Sequence, residues 1–153
     1  MGQQNQALGR SQGGFSTKIH IRVEGFGKPM RFVLTNGERH EAIAFKDLMQ
    51  GGKVKRAGRG RPKSRPRYFL GDKAYSSSAV RQELRRCGIT PVIPQRRNEK
   101  RRCRFNRGLY RERNRVERLI NRLKQFRRVA TRYEKCAHNY LAMLIIAAIL
   151  SWL

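Results

Sequence analysis

Tyr68-Phe69-Leu70-Gly71-Asp72-Lys73-Ala74-Tyr75-Ser76-Ser77-Ser78 packs a strand, a turn and the start of a helix into one short stretch. Tyr68, Phe69 and Leu70 are a brief apolar run of the kind a buried strand uses. Gly71-Asp72 ends it. Ser76, Ser77 or Ser78 can cap a helix that runs to about Cys87, with Gly88 as its stop. Residues 89–93 then give a further strand, closed by Pro94. Upstream, residues 18–24 alternate polar and apolar with period two, and residues 30–35 form a second strand across the turn Gly25-Phe26-Gly27-Lys28-Pro29. Together these predict a hairpin. Asn36-Gly37 turns the chain, and residues 40–49 read as a short helix ended by Gly51-Gly52. From about Tyr110 the pattern is helical, with Val116, Leu119, Ile120, Leu123 and Phe126 in one apolar stripe. The chain closes with a helix from about Tyr133, whose apolar run 141–150 is too short to span a membrane and reads as a buried core helix. Strands and helices interleave, which predicts an α/β chain with a small mixed sheet.

The 153 residues suit one domain. Lys and Arg number 36 against 10 Asp and Glu, a net charge of +26. Of the cations 26 are Arg, whose planar fork binds phosphate in two-point fashion. A chain this basic repels itself and calls for a polyanion. The composition argues against a membrane transporter, a secreted disulfide scaffold and a collagen-like fibre, and favours an intracellular nucleic-acid-binding domain. Cys87, Cys103 and Cys136 lie far apart and form neither a zinc ribbon nor a disulfide framework. His40-Glu41 opens like a zinc-protease motif, but Ala44 stands where its second His belongs. Residues 1–14 are Gln- and Gly-rich and are expected to be a flexible N-terminus. They carry no signal-peptide pattern, so the cytoplasm is the expected compartment. Residues 53–67 and 95–107 read as basic loops.

Acids are scarce in this background, and two stand out. Tyr110, Arg113, Glu117 and Lys124 are spaced Y-x2-R-x3-E-x6-K, and on a continuous α-helix they fall within about 60° of one another. Glu117 then sits between two cations at the edge of the packed face. A nearby opposite charge favours an ionised carboxylate, and a hard divalent ion needs one. Asp72 lies just past a strand's carboxyl end, where α/β sheets build their sites. A strand-end Asp and a helix Glu can converge on Mg²⁺ or Mn²⁺, and two such ions serve phosphodiester cleavage.

These motifs carry a resemblance. The segment from Leu70 to Tyr75 is similar to the second-acid motif of the DDE transposases of bacterial insertion sequences, in the group named for insertion sequence five. The Y-R-E-K stripe resembles their C-terminal signature, with Glu117 as the third acid, and residues 88–94 look like the next strand. The resemblance runs from about residue 8 to residue 153. It implies a ribonuclease H-like mixed sheet with flanking helices, in a partial catalytic domain over residues 15–153. It implies Asp72 and Glu117 as catalytic and metal-binding residues, Mg²⁺ or Mn²⁺ as cofactor, and DNA contacts by Tyr110, Arg113, Lys124 and Lys73. It implies insertion-sequence ends and target DNA as partners, a possible homodimer, residence on the nucleoid and no membrane.

One element of the family pattern is missing. The first Asp, expected on a first strand in an Asp-Ser-Thr-like context, is not found, so the fold is expected to be N-terminally truncated. Glu24 and Glu41 fall where relatives are expected to carry Asp, and neither is a convincing replacement. The expectation is the C-terminal part of a transposase that binds DNA, cleaves poorly or not at all alone, and takes its first acid from an upstream-frame polypeptide. Alternative readings are a decayed transposase fragment, a non-catalytic nucleic-acid-binding protein, which would not depend on Asp72 or Glu117, and a nuclease of the same fold class.

Overall fold

The computed structural model describes residues 6–11, 14–56, 58–97, 99 and 105–153. The alternating segment lies in β2 (Gly14–Val23), which pairs antiparallel with β3 (Pro29–Asn36). Ile19 faces Leu34 across the ladder and Ile21 faces Phe32, so period-two alternation gives the hairpin one apolar face. The turn between the strands is held by Glu24, whose carboxylate accepts from the backbone N–H groups of Phe26 (2.8 Å) and Lys28 (3.0 Å). Glu24 is therefore a turn-forming residue.

Ile21, Val23, Phe32 and Leu34 pack against Leu119 and Leu123 of α4 (Asn114–Leu123), Val129 of α5 (Arg127–Ala130), and Tyr140, Leu144 and Ala147 of α6 (Ala137–Leu150). The fully covered Leu119, Leu123, Val129 and Leu144 each contribute roughly 1.5–3 kcal/mol by leaving water. A second core joins Phe45 of α1 (Phe45–Met49) to Val80 and Leu84 of α2 (Ser78–Arg86) and to Ile89 and Ile93. Here β4 (Tyr68–Leu70) runs parallel to β5 (Thr90–Val92), with α2 as the crossover between them. Ser77 caps α2 by accepting from Val80 N–H at 3.1 Å. Gly88, at φ +72°, follows its C-terminus in the left-handed conformation that a side chain would strain.

Four elements differ from the sequence expectation. First, the strands form two sheets, a three-stranded antiparallel one ordered β1 (Gly9–Ser11), β2, β3 and a two-stranded parallel one. Among the described residues no ladder joins β2 to β4, so the expected single mixed sheet is absent. The halves are connected instead by α1, which contacts both β2 and β3 and places Phe45 in the second core, and by a hydrogen bond between His20 and Tyr75. Second, Gly9–Ser11 forms β1 against Gly14–Ser16, inside the stretch expected to be loose. Polar composition signals flexibility, but backbone pairing on an open strand edge needs no apolar side chain.

Third, the helix expected from Tyr110 is interrupted. α3 (Arg107–Arg111) ends at Glu112, and the N–H groups of Glu112, Arg113, Arg115 and Val116 bond three residues back rather than four. That tighter winding restarts the chain as α4. Fourth, α6 is buried on one face only. Tyr140, Leu144, Ala147 and Ala148 are covered, whereas Ile145, Ile146, Ile149 and Leu150 are exposed. An apolar run has no polar face to signal which side meets solvent. Among the described residues no helix is long and apolar enough to cross a membrane. Cys87 and Cys136 are free thiols; Cys103 and part of the second basic loop lie outside the described residues.

Candidate active site

β4 delivers Asp72 two residues past its carboxyl end. Asp72 Oδ1 accepts from Ala74 N–H at 2.9 Å and so caps the 3₁₀ turn Lys73–Tyr75. This fixes the carboxylate while leaving it exposed, with no partner for its second oxygen among the described residues. The turn carrying Asp72 packs against a second 3₁₀ turn, Glu41–Ala44, which carries Glu41.

His20 of β2, only 3 % exposed, joins the hairpin to the turn that carries Asp72. Its Nδ1 is 3.2 Å from the Tyr75 hydroxyl and its Nε2 is 2.8 Å from the Thr35 hydroxyl. Hydroxyls both donate and accept, so either neutral tautomer is satisfied. Burial lowers the His20 pKa and Lys18 acts the same way, against the opposing fields of Glu41 and Asp72. Burial pushes the Tyr75 phenol strongly up, with Asp72 and Glu41 adding to it. Burial also acts to raise the pKa of Glu41, but its hydrogen bond and ion pair with Lys18 at 2.8 Å prevail and hold it below the usual carboxylate range.

The second expected acid, Glu117, is paired on its own helix segment. Arg113 pairs with Glu117 at i,i+4 and lies over the Tyr110 ring at 5.5 Å. Partial burial disfavours its charge, yet Tyr110, Glu117 and Asp72 together raise its pKa. Tyr110 in turn packs on Phe105, with ring centroids 5.1 Å apart.

The other expected residues are less closely drawn in. Lys73 is exposed beside Asp72 on the same turn. Lys124 sits at the C-cap of α4, about 10 Å along the axis from Glu117, and its ammonium has no partner among the described residues. The break between α3 and α4 means that the four-residue stripe is not carried on one continuous helix.

Sequence reading missed the network around Ser76. Its buried hydroxyl lies 2.8 and 2.9 Å from the two Glu99 carboxylate oxygens. Arg81 Nη2 donates to Ser76 Oγ at 2.9 Å and to the carbonyls of Ile93 (3.2 Å) and Pro94 (3.3 Å). The second basic segment is thereby fastened four residues from Asp72. The visible signal was a serine-rich cap followed by an Arg one turn later. Glu99 gave no signal, because its partner is remote in sequence.

Asp72 and Glu117 offer hard carboxylate oxygens of the kind Mg²⁺ and Mn²⁺ prefer. They fit such an ion in chemistry but not in number. Among the described residues no group of three or more His, Cys, Asp or Glu side chains converges to hold a metal.

Residues 2–152 match the family model described as the transposase DDE domain. The chain belongs to this family. The DDE-domain chain is 34% identical over 128 residues to a candidate transposase for insertion sequence element IS402 of Burkholderia cepacia, covering 84% of this chain and 58% of that protein. It is 28% identical over 142 residues to a candidate transposase for insertion sequence element IS6501 of Brucella ovis, covering 90% of this chain and 98% of that protein. The chain thus spans little more than half of the first relative and nearly all of the second. No solved structure matches it.

Proposed function

We propose that this chain is the two-acid part of a DDE transposase catalytic domain, in the insertion sequence five group, acting on the DNA ends of its own insertion sequence. The observation that carries this reading is the match of residues 2–152 to the DDE domain, in a chain where Asp72 stands exposed just past β4 and Glu117 is paired with Arg113. Asp72 and Glu117 are the acids directed at the scissile phosphate, Arg113 holds Glu117 in place, and Tyr110, Lys73 and Lys124 contact the DNA backbone. The remaining acid comes from an upstream-frame polypeptide. Its strand would complete a ribonuclease H-like sheet, for which the side of β2 past Ser16 that β1 does not cover, and the outer edge of β4, are the places open to pairing among the described residues. A divalent ion, once its donor set is complete, supplies Lewis-acid activation of water and stabilisation of the leaving oxygen. The chain alone then binds DNA and cleaves it weakly or not at all, and its place of action is the nucleoid, with a homodimer pairing two ends.

The test is Mn²⁺-dependent cleavage of a plasmid carrying the insertion-sequence ends. The expected result is cutting by a fusion that adds the upstream-frame polypeptide and no cutting by this chain alone. Efficient cleavage by the isolated chain would contradict the proposal.

A further inference from the structure

We infer that residues 58–62, Gly-Arg-Gly-Arg-Pro, form a reader of the DNA minor groove at A·T-rich sequence. The inference rests on DNA being the partner, as proposed above, and is independent of the cleavage chemistry. The segment lies in the first basic loop, residues 53–67, which holds eight Lys and Arg and no acid. All five residues are exposed. None of Lys53, Lys55, Arg59, Arg61, Lys63 or Arg65 has an acidic partner among the described residues. A solvated charge run could stop there, but this segment has structure. Val54 and Lys63 exchange two backbone hydrogen bonds of 2.9 Å, forming an antiparallel bridge at its base. Arg56 Nε donates to the Arg61 carbonyl at 3.0 Å. Pro62 fixes its own φ, removes an N–H and biases Arg61 to an extended backbone.

The side chains suit a narrow cleft. Arg59 and Arg61 alternate with Gly58 and Gly60, so the backbone between the two guanidiniums is bare. A Cβ at Gly58 would meet nothing within 4 Å, and Gly60 at φ +127° adopts a conformation that side chains rarely take. The minor groove is about 6 Å wide, too narrow for a helix and wide enough for a bare backbone carrying flexible Arg. Its floor offers A N3 and T O2 acceptors at A·T pairs, whereas G·C pairs place the guanine amino group there. A-tracts narrow the groove further and deepen the negative potential that draws Arg in. Two forks separated by one glycine therefore fit an A·T floor better than a G·C floor. The loop also has an address: Arg67, stacked over Tyr68 at 5.3 Å, leads directly into β4, and Asp72 follows two residues after β4 ends.

Binding of the whole chain to two fluorescent duplexes of equal length, one with a central A-tract and one all G·C, tests this by anisotropy at fixed salt. The wild type is expected to prefer the A-tract about tenfold, in line with the cost of a mismatched contact, and netropsin should compete. Gly60→Val, which removes no charge, and the double variant Arg59→Ala/Arg61→Ala should each bring the preference close to one. Lys53→Ala/Lys55→Ala removes the same charge as the Arg pair. It should weaken binding to both duplexes alike and keep the preference. Circular dichroism should be unchanged throughout, since every altered residue is exposed. Equal wild-type affinity for the two duplexes overturns the inference and leaves DNA binding standing. So does a double-Arg variant that behaves like the double-Lys variant. Failure to bind either duplex at low salt overturns both this inference and the DNA-directed function.

Discussion

His20 makes the stability of this chain depend on pH in a calculable direction. It is buried, pairs with Tyr75 and Thr35, and has a pKa lowered chiefly by burial. In the unfolded chain it titrates at the ordinary value of about 6.5. Between that value and the lower folded one, the unfolded state binds the extra proton. Stability is therefore full above about pH 6.5, falls as pH drops below it, and levels off once pH passes the folded pKa. The limiting slope for one such group is about 1.4 kcal/mol per pH unit. For a chain of this size that corresponds to a melting temperature lower by about 3–5 °C per unit. His20→Gln keeps hydrogen-bonding capacity for the two hydroxyls and cannot titrate. The assay is thermal melting of both proteins by circular dichroism from pH 8 to pH 5, with the carboxylate contribution common to each. The difference between the two curves should be flat above pH 7 and slope below it. Parallel curves throughout would refute the reasoning.

Three other substitutions test the packing account. Leu144→Ala, at a fully buried site under the hairpin, should cost about 2–5 kcal/mol in chemical denaturation. Tyr140→Phe removes the 2.8 Å hydrogen bond to the buried Val129 carbonyl and should cost about 1 kcal/mol in the same measurement, with the core volume kept. Gly88→Ala forces a side chain into a left-handed conformation after α2. It should cost about 1–2 kcal/mol although a Cβ there meets no neighbour.

Much of the fold was legible because its signals are local. Period-two alternation marked the hairpin, the apolar triplet Tyr68-Phe69-Leu70 marked β4 to the residue, and the serine run with Gly88 bounded α2. What stayed hidden depends on distant partners. The separation of the strands into two sheets follows from which edges pair, and no residue pattern encodes that. The break before α4 arises from three-residue hydrogen bonding that the Y-R-E-K spacing, read as a continuous helix, does not reveal. Asp72 was legible from its strand-end position, and its capping of the next turn confirms only its placement. Glu41 was noticed and set aside. The fold packs its turn against that of Asp72, and Lys18, 23 residues away, keeps it ionised. His20 and Glu99 gave no warning, since their burial and partners exist only in the folded chain.

On the proposed function, Asp72 and Glu117 serve chemistry rather than stability. Glu117 is half exposed and, among the described residues, pairs only with Arg113, an i,i+4 contact worth about 0.3–0.5 kcal/mol. The most direct measurement compares end cleavage and melting temperature for Asp72→Asn and Glu117→Gln in the fusion carrying the upstream-frame polypeptide. Loss of Mn²⁺-dependent cleavage in both, with DNA binding retained and melting moved by no more than about 2–4 °C per kcal/mol of lost pairing, is the predicted result. Cleavage that survives either substitution would contradict the claim.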